Sequence, residues 1–165
     1  MVELYLKIIN EIVLFTTEKE RQQVIADDIQ NKIQRLKNYD NTYLYFITIT
    51  DTKYKTTGQF RFALTTLFNK IHKNIYFNKS NSYLFILEYP EIVSRGNFEN
   101  IKNIDIHSHI ILATEMKEEV LKSILYKAFI GADIDVKNYY KSGDGYLIKQ
   151  KNIIDKTNYH YCLTK

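Results

Sequence analysis

His107 and His109 are the pair of side chains in this chain best suited to act together. They stand in Ile104-Asp105-Ile106-His107-Ser108-His109-Ile110-Ile111-Leu112-Ala113, which is rich in β-branched residues, has no helix start before Glu115 and is predicted to be a strand. Side chains alternate faces along a strand, so both imidazoles share one face, about 7 Å apart along the backbone. Two neutral nitrogen donors on rigid backbone are most of what a divalent-metal site needs, and a carboxylate would complete it. The plainer reading is a pair of histidines that merely satisfy hydrogen bonds.

The run Tyr83-Leu84-Phe85-Ile86-Leu87-Glu88-Tyr89 is the preceding predicted strand. If the two strands are antiparallel neighbours, Glu88 lies beside the histidines. Two histidines and one carboxylate leave coordination positions open, as a catalytic centre does and a structural one does not. A solvated carboxylate at a strand end is the plainer reading of Glu88. Glu91 is a second candidate on the same loop, and Asp105 flanks the pair but should face away from it.

A further group of reactive types is Gly145-Tyr146-Leu147-Ile148-Lys149-Gln150. On a helix, Tyr146 and Lys149 are one turn apart on one face, with Gln150 close to both. A phenol titrates near ~10 and is a weak nucleophile until its reaction partner is polarised. A metal acting on a phosphate, with an ammonium nearby, would do that. Read more plainly, Tyr146 is one of 14 tyrosines, half buried for packing.

The elements that must position these residues alternate in type. Residues 1–15 carry Leu4, Ile8 and Ile12 at helical spacing. Thr17 with Glu20 forms a capping-box pair before a stripe of Ile25, Ile29, Ile33 and Leu36. Strands are predicted at 41–50, 82–89, 104–112, 132–139 and 159–163, and helices at 60–75, 116–129 and briefly from Tyr146. From residue 41 the order is β-α-β-β-α-β-helix-β. An antiparallel sheet with helices on one face buries such strands economically and leaves the other face partly open for a site. This is an α+β arrangement that resembles ferredoxin-like and RNA-recognition-like folds.

Composition sets the outer bounds. The 165 residues suffice for one domain with a real core; 45% are hydrophobic and 25% charged, as in ordinary globular proteins. The formal net charge of +4 suits a nucleic-acid binder without requiring one. Cys162 is the only cysteine, which excludes an intrachain disulfide and a cysteine-built zinc cage. No apolar run approaches the ~20 residues of a membrane span. Residues 1–15 are broken by Glu3, Lys7, Asn10 and Glu11, so neither a signal peptide nor an anchor is expected. The expectation is a soluble cytoplasmic protein.

Three stretches together resemble the motifs of HUH endonucleases. Phe46-Ile47-Thr48-Ile49-Thr50 is similar to the first, a strand with threonines between hydrophobic residues. His107-Ser108-His109 followed by Ile-Ile-Leu is similar to the second, and Tyr146-Leu147-Ile148-Lys149 to the third, Y-x-x-K. They occur in the family's order over residues 43–150. The nearest resemblance is to single-tyrosine initiators of rolling-circle replication in plasmids and viruses. It implies Mg²⁺ or Mn²⁺ held by His107, His109 and Glu88, nicking of single-stranded DNA at a replication origin by Tyr146, and Lys149 steadying the phosphate. A 5′-phosphotyrosyl link and a free 3′-OH would result, and a later 3′-OH would reverse the step. Thr48 or Thr50 would lie near DNA. Residues 41–165 would form the HUH domain in the host cytoplasm. Residues 1–40 would be a helical extension that packs on the sheet, mediates homodimerisation or contacts duplex DNA. No helicase-like segment follows, so a helicase would act in trans.

Departures and rivals accompany the resemblance. Ser108 stands where the family prefers a bulky apolar residue, at a position that faces away from the metal. Tyr161 is a rival nucleophile, but its lysine, Lys165, is four residues on and the segment alternates like a strand. Tyr139 and Tyr140 would permit a two-tyrosine mechanism. Tyr146 with Gln150 also resembles the Y-x-x-x-Q of single-tyrosine HUH transposases, while relaxases generally present three ligand histidines. From another class, Tyr43, Tyr45, Tyr83, Phe85 and Tyr89 could form a base-stacking platform on a non-catalytic binding module. A hydrolase of small phosphates would need a pocket that the sequence does not reveal.

Overall fold

The computed structural model describes residues 18–39, 43–51, 53–73, 82–88, 106–139, 147 and 159–162. Its elements are α1 (Glu18–Lys37), β1 (Tyr43–Thr50), α2 (Thr57–Lys73), β2 (Ser82–Glu88), β3 (His107–Thr114), α3 (Glu118–Ala128), β4 (Asp133–Asn138) and β5 (Tyr159–Cys162). The predicted helix over residues 1–15, Tyr89, Glu91, Asp105 and Tyr140 lie outside the described residues, as does all of the segment from Tyr146 to Gln150 except Leu147.

Five antiparallel strands form one sheet in the order β4-β1-β3-β2-β5. The α+β class and antiparallel sheet are as the sequence predicts, and the order β4-β1-β3-β2 is that of a β-α-β-β-α-β unit. β5 extends the sheet beyond β2.

Local chemistry sets the element ends. α2 begins three residues before the expected Phe60, because Thr56 Oγ1 accepts the Gln59 backbone N–H at 3.2 Å and the Gln59 side chain accepts the Lys55 N–H at 3.1 Å. This is a variant of the capping box. Between α3 and β4 the chain turns at Gly131, whose φ of 83° is open to glycine at little cost.

The two faces of the sheet are both covered, by different helices. Odd-numbered β1 and β2 residues (Tyr45, Ile47, Ile49, Tyr83, Phe85, Leu87) and even-numbered β3 residues (Ile110, Leu112) pack under α2 and α3. There Phe60, Leu64, Phe68, Leu121 and Leu125 complete the core, with Phe68 stacked 4.1 Å from Tyr83. The opposite face, expected to be partly open, is covered in part by α1, which lays Ile29, Ile33 and Leu36 over Leu84, Ile86, Ile111 and Ala113. Packing on the sheet is one of the roles expected of residues 1–40. The stripe at helical spacing is long enough to bury that half of the face, which each strand would otherwise expose to water. Among the described residues no helix is long and apolar enough to cross a membrane.

Candidate metal centre

β3 runs between β1 and β2, and its histidines point to the face that α1 partly covers. Across the β2–β3 ladder Glu88 is directly opposite His107, and Ile86 is opposite His109. Strand pairing therefore fixes Glu88 beside the two imidazoles. His107 Nε2 is 3.0 Å and His109 Nε2 3.1 Å from the same oxygen, Glu88 Oε2. The ring centroids are 5.2 Å apart and near perpendicular, at 78°. Glu88 has no exposed surface, so it is no solvated strand-end carboxylate.

The burial is graded: the side chains of Glu88, His109 and His107 are 0%, 8% and 22% exposed. The opening to solvent is therefore on the His107 side. His109 is further fixed by β1: Thr48 Oγ1 is 3.0 Å from its Nδ1, and Phe46 stacks on its ring at 5.5 Å.

These three residues fit a metal ion. Their donor atoms all lie within 4.8 Å of one another. Donors at right angles about an ion, with bonds of about 2.1 Å, stand about 3.0 Å apart, which is the spacing between the imidazole nitrogens and the carboxylate oxygen. A buried carboxylate needs a compensating charge, and a divalent cation supplies one while both imidazoles stay neutral. Three protein donors leave room for further ligands.

The other sequence candidates divide. Tyr146 and Lys149 lie outside the described residues, but Leu147, next in the chain to Tyr146, is helical and wholly buried with Ile86 and Ile111. Tyr161 stands opposite Leu84 in the β2–β5 ladder, four residues from Glu88, or about 13 Å of strand. Tyr139 donates its backbone N–H to Leu44 O at 2.8 Å, at the end of β1 away from Thr48. Its ring packs among the residues under α1, with the Lys37 ammonium 5.2 Å away.

The aromatic platform does not form. Tyr45, Tyr83 and Phe85 are 2%, 3% and 0% exposed beneath α2 and α3. The Tyr45 hydroxyl donates to Met116 O at 3.1 Å, and burial pushes its phenol above the usual value. Only Tyr43, of the four described, is exposed. Two surface hollows between α2 and α3, which share Leu67 and Lys70, lie on that same side, away from Glu88. Sequence reasoning missed Thr48 as a neighbour of His109. Its signal was the alternation of β1, which puts Phe46 and Thr48 on one face.

No protein-family model matches the chain, and no curated protein matches it. Among solved structures, the crystal structure of the hypothetical protein ORF119 from Sulfolobus islandicus rod-shaped virus 1 is similar to it, at 23% identity and a TM-score of 0.45. That match covers 78% of this chain and 97% of the other.

Proposed function

We propose that this protein is a metal-dependent endonuclease and strand transferase acting on single-stranded DNA, with Tyr146 as nucleophile. The observation that carries the reading is the convergence of His107 Nε2 and His109 Nε2 on one oxygen of buried Glu88. A divalent cation held there would supply Lewis-acid polarisation of a phosphodiester and neutralise its developing charge.

The chain's own residues supply the rest. Tyr146 Oη attacks phosphorus, the bond to the 3′ oxygen breaks, and that oxygen leaves as a 3′-OH. The 5′ side stays on the tyrosine as a phosphodiester, whose retained energy lets an incoming 3′-OH rejoin strands. Lys149, three residues after Tyr146 in the sequence, steadies the phosphate. Leu147 is buried in one cluster with Ile86 and Ile111, on the face that carries the candidate metal centre, and its adjacency to Tyr146 in the sequence supports Tyr146 over Tyr161. Two imidazole donors beside one carboxylate favour Mn²⁺ over Mg²⁺.

The biological role proposed is initiation of rolling-circle replication of a plasmid or virus, in the host cytoplasm, with a helicase in trans. A transposase would use the same chemistry and require Gln150. The non-catalytic module loses support because Tyr45, Tyr83 and Phe85 are buried.

A covalent-adduct gel tests the proposal. Purified protein is mixed with single-stranded oligonucleotides from its genetic neighbourhood, with Mn²⁺ or EDTA, and run denatured. A shifted band with Mn²⁺ alone is expected. Binding that ignores chelator, without any adduct, would replace the enzyme with a binding module.

A further inference from the structure

His109 is held on two sides by β1. Thr48 is its direct partner in the β1–β3 register, and Thr48 Oγ1 lies 3.0 Å from Nδ1. The Phe46 ring, two residues along the same face of β1, stacks on the imidazole at 5.5 Å and 27°. Strand pairing builds both contacts, so neither depends on a long flexible side chain.

An imidazole that binds a metal through one nitrogen carries its ring proton on the other, and whatever accepts that proton sets the tautomer. In His109, Nδ1 is engaged with the Thr48 hydroxyl while Nε2 faces Glu88 Oε2 at 3.1 Å. A proton on Nδ1, donated to Thr48 Oγ1, leaves the Nε2 lone pair aimed at a carboxylate oxygen. Two electron-rich atoms so placed repel each other unless a cation lies between them.

We propose that Thr48 is a positioning residue for the metal centre: its hydroxyl accepts the Nδ1–H of His109 and fixes the tautomer and ring angle that present Nε2 to the ion. The proposal rests on the metal-centre reading above. It assigns a threonine of the Phe46–Thr50 stretch to the histidine rather than to incoming DNA. Phe46 restrains the ring about its remaining torsion. His107, at 22% exposure, is left as the more adaptable of the two imidazoles.

Thr48→Val keeps the shape and the β preference of the side chain and removes the acceptor; Thr48→Ser keeps the hydroxyl. Three quantities are measured on the full chain: thermal unfolding without metal, Mn²⁺ affinity by electron paramagnetic resonance, and the His109 tautomer by long-range ¹H–¹⁵N correlation in the protein loaded with diamagnetic Zn²⁺. Thr48→Val is expected to bind Mn²⁺ roughly ten- to a hundredfold more weakly, and Thr48→Ser close to the wild type. Wild-type His109 is expected as the Nδ1–H tautomer, with the Nε2–H form gaining population in Thr48→Val.

Unchanged Mn²⁺ affinity in a folded Thr48→Val, or an Nε2–H tautomer in the wild type, would overturn the role of Thr48 alone. A wild type that takes up no Mn²⁺ would overturn the metal centre and this inference together. Should Thr48→Val fail to fold, the wild-type tautomer decides the question by itself.

Discussion

Glu88 and His107 face each other directly across the β2–β3 ladder, with Glu88 Oε2 3.0 Å from His107 Nε2. The pairing of two central strands therefore sets the separation of carboxylate and imidazole. His109, two residues further along β3, reaches the same oxygen on the diagonal. Strand pairing rather than a flexible loop sets these distances, so ion binding should register as added stability of the whole fold.

Mn²⁺ at about a hundred times its dissociation constant should therefore add about 2.7 kcal/mol to the unfolding free energy. For a chain of this size that corresponds to a rise of roughly 5–10 °C in Tm. Excess EDTA should reverse it. Glu88→Gln keeps the side-chain shape and removes the charge, and should abolish the rise in a thermal-shift assay. A full rise in that variant would place the ion elsewhere.

Tyr146→Phe removes only the nucleophilic oxygen. Single-strand binding should persist, measured by fluorescence anisotropy, while cleavage and the covalent adduct disappear. An adduct that survives the substitution would transfer the nucleophile to another tyrosine, with Tyr161 tested next by the same change.

Ser108 sits between the two histidines but points to the other face, opposite Ile49 and Leu87 in the ladders. It is wholly buried, and its hydroxyl has no hydrogen-bond partner among the described residues. Ser108→Ala removes a buried polar group and should stabilise the protein by about 1 kcal/mol in urea unfolding. A loss of stability instead would mean that the hydroxyl is bonded.

Ile33, with no exposed surface, is the middle of the α1 stripe laid over Ile86 and Ile111. Ile33→Ala should cost about 2–5 kcal/mol, as truncation in a closed core does. A change below about 0.5 kcal/mol, the scale of surface substitutions, would show that α1 does not bury this face.

The candidate site was legible in the sequence where strand geometry alone decides. Alternation along β3 put His107 and His109 on one face, and antiparallel pairing with β2 brought Glu88 to them. What covers each face was not legible from alternation, because that pattern separates faces without saying what lies on them. Tyr45, Tyr83 and Phe85 thus read equally well as a platform or as core. The better signal was the unbroken apolar run Tyr83–Leu87, since a strand buried on both faces has no reason to alternate. The contact of Thr48 with His109 was not legible because its partner depends on the neighbour order of the sheet, which follows from topology and not from any one segment.

The central placement of β3 carries a dynamic consequence. Both edges of the strand are closed by ladders, to β1 and to β2, and both faces are packed. Backbone amides of Ser108 to Leu112 can then exchange with solvent only through openings that separate the sheet itself, at a free energy near that of global unfolding. The imidazoles should therefore ride on one of the slowest-exchanging segments among the described residues. The three ligand side chains should accordingly keep their relative positions through local fraying of the outer strands, while a bound ion exchanges through the opening on the His107 side.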